Sequence, residues 1–250
     1  MKKYLLYLYF IMIAQAGFSQ YENRIKPKDA LEAAFTLRNA AVNIIKDYIY
    51  LNMKVSYAVK NIDDSFSNSE DALLLLEAYS EDKPNIKSKL QPVIEARKKT
   101  RMIFLKSPKR EKIKTALKKL DKLLTLSNAL IDEIQKDAGL TTAQSIKSAH
   151  DLELISQELA FLYSLRFSNI EVPGIEQKIK DSQIEFEKNL AYLKQMKTNE
   201  DIQFQIKLLD SDWQMFKRIA AKPNERFVNT IYTLMDKISK RAQNISELLS

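Results

Sequence analysis

Hydrophobic residues recur every three or four positions along almost the whole chain after residue 28. After Pro108, Ile113, Leu117, Leu120, Leu124, Ile131 and Ile134 fall on one helical face. Near the end, Val228, Ile231, Met235, Ile238, Ala242, Ile245 and Leu249 do the same, as do Ile202, Ile206, Leu209, Trp213, Phe216 and Ala220 before them. Alternating steps of three and four put such side chains on a single stripe that must be buried against other helices. Pro27, the polar run Asp63 to Asp71, Pro84, Pro108, Gly139, Pro173-Gly174, Thr198-Asn199 and Pro223 punctuate the pattern into eight segments. The first, Asp29 to Ile62, is the longest; its stripe is Ala34, Leu37, Ala41, Ile44, Tyr48, Leu51, Val55 and Ile62.

The segments repeat at an offset of about 115 residues. Thr115 corresponds to Thr230, Asp121-Lys122 to Asp236-Lys237, Pro108 to Pro223 and Tyr48 to Tyr163. With one residue of slip, Ile86, Leu90 and Val93 correspond to Ile202, Ile206 and Leu209. Four amphipathic helices form the smallest common closed bundle. The expected fold is therefore all-α, two tandem up-down four-helix bundles over residues 20–138 and 139–250, with a continuous helix through residues 130–150 as one way to join them. A single irregular eight-helix array is the alternative. Trp213 and Phe216 correspond to Arg97 and Thr100. Either Arg97 lies over the core on its aliphatic stem with its head in water, or the first bundle holds a polar internal site.

Composition narrows the chemistry. The 250 residues include 3 Gly, 6 Pro, no Cys and one His. So few turn residues argue against sandwiches and barrels. Without Cys there are no disulfides, thiolate metal ligands or thiol nucleophiles, and one His excludes sites built on several imidazoles. No P-loop, GxSxG elbow or HExxH occurs. His150 has Lys147 three residues before it, so no Glu-x-x-His di-iron pair exists, and it reads as an ordinary helix residue. Asp210 and Asp212, two apart, do not share a helix face. No metal, cofactor or catalytic residue is expected, and an enzyme is disfavoured.

The amino terminus reads as an address. Lys2-Lys3 precede a ten-residue apolar stretch, Tyr4 to Ile13, followed by Ala14-Gln15-Ala16 and Gly17-Phe18-Ser19. This is the layout of a secretory signal peptide over residues 1–19, with an uncleaved anchor as the alternative. The mature chain is expected to start at Gln20 and to be exported, in the periplasm. Charge is uneven: Lys87 to Lys122 carries 14 Lys or Arg against 3 Asp or Glu. Arg97, Lys98, Lys99 and Arg101 precede the Pro108 turn, and Lys109, Arg110, Lys112 and Lys114 follow it. A helical hairpin gathers them at its tip, as a surface for an anionic membrane, an envelope polymer or an acidic partner protein, or simply as a solvated face. Nucleic acid is disfavoured, because export and the lack of interleaved aromatics both argue against it.

The run Ile155-Ser156-Gln157-Glu158-Leu159-Ala160-Phe161-Leu162-Tyr163, with Phe186-x3-Leu190-x2-Leu193 and Asn199-x2-Ile202-x3-Ile206-x2-Leu209-x3-Trp213, resembles the type IV pili methyl-accepting chemotaxis transducer N-terminal domain, a NarX-like sensor module. The resemblance covers Thr142 to Leu249, with a weaker copy in the first half through Lys46-Asp47-Tyr48 and Asn85-Ile86. It implies an exported four-helix bundle, often a homodimer, whose first-helix arginines hold a small anion. In the second copy Asp151 and Glu153 stand at the arginine positions, which reverses the charge. In the first copy Thr36 and Arg38 stand there, so Arg38 is the one ligand residue the resemblance transfers; an ordinary surface arginine is the alternative. Such sensors continue into a second membrane span and a transmitter. With its last residue at Ser250, this sequence implies a protein that passes a bound state to another protein.

Overall fold

The computed structural model describes residues 25–53, 58–104, 110–139, 142–167, 170–222 and 224–249. The signal-peptide reading, Lys109, Pro108, Pro223 and the side chain of Arg110 lie outside the described residues. Eight α-helices occur among those described: α1 Pro27–Asn52, α2 Ala58–Tyr79, α3 Pro84–Phe104, α4 Arg110–Ala138, α5 Ala143–Arg166, α6 Ile175–Gln195, α7 Glu200–Ala220 and α8 Val228–Leu249. A short 3₁₀ turn, Glu225–Phe227, precedes α8, and no strand occurs among the described residues. The protein is all-α. No helix among the described residues is long and apolar enough to cross a membrane.

The punctuation acts through ordinary terminus chemistry. Pro27 and Pro84 open α1 and α3, where a missing N–H costs nothing. Gly139 follows α4 at φ 57° and Gly174 precedes α6 at φ 72°, a left-handed backbone that glycine adopts without penalty. Asn199 caps α7, its side chain accepting from the Ile202 amide at 2.9 Å. Glu200 and Asp201 lie in the first turn of α7 and Lys217 and Arg218 in the last, matching the helix dipole. Asn199→Ala should therefore cost about 1 kcal/mol, read as a lower midpoint in urea unfolding.

Two boundaries differ from expectation. The first segment ends at Asn52, and Ile62 belongs to α2. The polar run Asp63 to Asp71 is helical rather than a break. It lacks Gly and Pro, and Ile62, Phe66, Ser69 and Leu73 still supply an inward stripe, with Ser69 bonded to the Phe66 carbonyl at 2.8 Å. Nor is there a continuous helix through residues 130–150. The left-handed Gly139 ends α4, and α5 starts at Ala143.

Helix pairing follows the repeat. α1 packs on α2 and α4, and α3 on α4; in parallel, α5 packs on α6 and α8, and α7 on α8. This is compatible with two four-helix units. They meet through their first helices, α1 against α5, and one apolar core runs through both halves. Matching positions have matching surroundings. Ile86, Leu90 and Val93 are buried, as are Ile202, Ile206 and Leu209. Tyr48 packs edge-on against Phe104, while Tyr163 packs edge-on against Phe216 and donates to the Ala220 carbonyl at 3.0 Å.

The Arg97 guanidinium bridges a buried serine and a carboxylate open to water. Arg97 is buried and donates to Ser69 Oγ at 2.8 Å and Glu70 at 3.0 Å, and Arg101 reaches the same carboxylate at 2.8 Å. In the second half Trp213 and Lys217 converge on Glu187, at 3.4 and 2.8 Å. Each fork ties the third helix of a half to its second, the pair that packs least among the helices consecutive in each half. Hydrogen bonding to Arg97 holds the Glu70 carboxyl below its ordinary range, and Lys217 does the same for Glu187.

Candidate functional site

Two helices are buried nearly all round because they lie between the halves. From Ala30 to Tyr50 most α1 side chains are inaccessible, and α5 from Ser145 to Leu165 is similar. A helix wrapped by neighbours loses the one-stripe pattern. That is why their polar residues, rather than their apolar ones, carry information. The two run side by side in the same direction: Glu32 meets His150, Arg38 meets Asp151, and Tyr50 reaches the Ala160 carbonyl.

Two layers of buried polar groups line this contact, and a third lies between α1 and α8. In the first, His150 is 4% exposed, with Nε2 at 2.8 Å from Glu32 and Nδ1 at 3.0 Å from Glu153, and its ring stacks on Phe35 at 4.3 Å. Burial alone would push the imidazole down, but the hydrogen bonds to Glu153 and Glu32 hold its pKa above the ordinary value. In the second, Arg38 Nη1 donates to Asp151 at 2.7 Å and to Asn128 at 3.1 Å, and Nε donates to Asn39 at 3.2 Å. Lys147 holds the other Asp151 oxygen at 3.1 Å. Arg38 Nη2 is buried with no hydrogen-bond partner among the described residues. In the third, Tyr232 of α8 donates to Asp47 at 2.7 Å, and Lys46 lies 3.6 Å from Asp47 and 3.7 Å from Asp236. Burial raises the Asp47 pKa against the opposing pull of Lys46 and Tyr232.

Beside the first layer a polar cleft of about 240 Å³ opens between α1, α2, α5 and α8. Glu32, Glu153, Glu247, His150, Asn39 and Asn43 give it its character, and no Lys or Arg among the described residues lines it. The Asn43 side-chain Oδ1 is buried there with no hydrogen-bond partner among the described residues. No group of three or more His, Asp or Glu among the described residues is arranged to hold a metal ion.

The sequence-derived site residues separate. Arg38 is in the core at 1% exposure and already paired, so the surface-arginine alternative is overturned. The reason is that α5 covers the helix face that carries it. Asp151 and Glu153, the reversed-charge positions, face α1 and supply the partners of Arg38 and His150. In the basic set, Arg97 turns inward and drops out of any surface patch, and Arg101 is shared with Glu70. Lys98, Lys99 and Lys114 are exposed and Lys112 is half-buried, where the end of α3 and the start of α4 form a hairpin. Asp210 and Asp212 point to different helices, bonding Lys194 of α6 and Lys237 of α8.

Sequence reasoning missed Glu32, His150 and the Lys46-Asp47 pair. One signal was available: Lys46-Asp47 interrupts an otherwise apolar stretch from Ala40 to Tyr50, with Asn43 the other polar residue. His150 had only Glu153 nearby in sequence, and its partner Glu32 is 118 positions away. Compared with family models, with curated proteins and with solved structures, the chain matches none.

The His150 layer predicts a pH effect. Its folded pKa lies above the unfolded value near 6.5. The stabilisation is therefore complete below about pH 6.5 and is lost as pH rises through the raised folded value. Unfolding free energy should fall as pH rises above about 6.5, and His150→Gln should flatten that slope. An unchanged slope in the variant would assign it to another group.

Proposed function

We propose that the protein is an exported, non-catalytic, sensor-like helical bundle protein acting as a binding or adaptor component of the cell envelope. The observation that carries this reading is the buried ionic seam between α1 and α5, which opens onto the polar cleft. Buried ion pairs add little net stability compared with apolar packing, and they are well suited to fixing one arrangement of two elements. Arg38 and Asp151, each at one of the two arginine positions of its own copy although not at the same one, meet across the seam where a sensor of the resembled kind would place a ligand between two first helices. A ligand that alters this layer shifts the two halves by as much as its affinity differs between their arrangements.

The chemistry of the seam separates two ligand classes. A small anion would have to displace Asp151 from Arg38. The adjoining cleft, with three carboxylates and no Lys or Arg among the described residues, favours a small organic cation. Calorimetric titration of the chain starting at Gln20 with nitrate, nitrite and putrescine tests this. Heat with an anion that disappears in Arg38→Ala supports the arginine site. Heat with putrescine that weakens about tenfold in Glu153→Gln supports the cleft. Silence with all three removes the sensor reading.

A second reading is favoured by the exposed Lys98, Lys99 and Lys114 at the hairpin. It makes the protein a scaffold that binds an anionic macromolecule or membrane surface through Lys87–Lys122. Binding to vesicles rich in anionic lipid should then fall steeply between low and physiological salt, because exposed charges are screened within about 10 Å at 0.1 M. Salt-insensitive binding counts against it.

A further inference from the structure

The internal duplication makes each half a reference for the other. In the second half, Asp212 on α7 is buried, and its carboxylate is held by Lys237 at 2.7 Å and Arg241 at 2.6 Å on α8. The register that pairs Trp213 with Arg97 and Asp236-Lys237 with Asp121-Lys122 places Ala96, Lys122 and Leu126 at the matching positions. The first half thus keeps one cation and lacks the carboxylate. Two further changes add charge at this place: Lys119 matches the buried Leu234, and Lys99 matches Met215.

A groove of about 430 Å³ lies there between α3 and α4. Pro92, Ala96 and Leu126 give it apolar walls, and Lys99, Lys119 and Lys122 line it. Pro92 interrupts no packing here, because it lies on the exposed face of α3. Lys119 crosses the hairpin and donates to the Lys99 carbonyl at 3.2 Å. Among the described residues none of these three lysines has a carboxylate partner within ion-pair distance. The one acid in the lining, Glu95, lies 3.9 Å from Lys98.

We propose that this groove binds a small organic carboxylate with an aliphatic body, its headgroup taking the place that the Asp212 carboxylate holds in the second half. Three ammonium groups around one concavity repel one another, and an anion among them relieves that repulsion. Pairing with a carboxylate adds charge-assisted hydrogen bonds. The apolar walls select against a bare inorganic ion, which would leave them wet, and favour a ligand whose chain covers them. The groove is local, so the ligand is a small molecule rather than an extended polymer along the whole basic stretch. This site is separate from the α1–α5 seam and does not depend on it.

Titration of the full chain with octanoate tests the proposal. Octanoate should bind, whereas acetate, which lacks the body, and octanol, which lacks the charge, should bind at least about tenfold more weakly. Lys122→Gln should weaken octanoate by a similar factor, and the exposed Lys89→Gln should leave it unchanged. Ala96→Asp supplies the missing carboxylate in place and should abolish binding. Absence of octanoate binding overturns the proposal, as does binding that survives unchanged in Lys122→Gln. Binding of polyglutamate with octanoate silent also overturns it, and assigns the patch to an acidic polymer instead.

Discussion

Replacing Asp151 with alanine should destabilise the protein by about 3 kcal/mol, the lower end of the range for breaking a buried ion pair from one side. Arg38 is 1% exposed and cannot turn its guanidinium to water without opening the α1–α5 contact. Asn128 and Asn39 would still accept from it, but neither carries charge. Asp151 is 18% exposed, so some water can enter, which is why the lower end applies. The double replacement Arg38→Met with Asp151→Leu should lie within about 1 kcal/mol of the parent, because it removes the desolvation cost together with the attraction. Urea unfolding followed by far-ultraviolet circular dichroism measures both. If the double variant loses as much as the single, the pair is a net source of stability and the view of the seam as a specificity device fails.

Trp213→Ala should cost about 3–5 kcal/mol. Its ring is fully buried, stacked on Phe186 at 3.9 Å and on Phe216 at 5.0 Å. These contacts matter more here than in an average core because α6 and α7 otherwise touch so little. Removing the indole leaves a cavity between two helices with few other reasons to stay together. The matching Arg97→Ala should lose less, because the Glu70 that receives its guanidinium is itself exposed to water. If the two replacements cost the same, the exposure of Glu70 does not weaken the Arg97 fork and the predicted difference fails.

Much of the fold was legible from residue order. The stripes of α4, α7 and α8 belong to helices with one wet face, and their predicted inward residues are inside: Ile113, Leu120, Ile131 and Ile134 on α4, Trp213 and Phe216 on α7, Met235 and Ile245 on α8. The turns at Pro84, Gly139, Gly174 and Asn199 fell where proline, left-handed glycine and a capping amide require them. The errors came from a different source. The run Asp63 to Asp71 looked like a loop because polarity was read as a break, whereas backbone chemistry permits a helix there. Arg97 looked like part of a surface patch because its neighbours at 98, 99 and 101 are charged, whereas its own position on the stripe points inward.

Local order along the chain thus determined which stretches are helical and where they stop. Those outcomes depend on forces acting within a few residues: stripe periodicity, caps and backbone preferences. What only the tertiary structure decided is which charges meet. Glu32 finds His150, Arg38 finds Asp151, and Asp47 finds Tyr232 across 118, 113 and 185 positions of sequence. A buried charge is tolerated only opposite its partner. That partner is set by how whole helices stack, which no local pattern records.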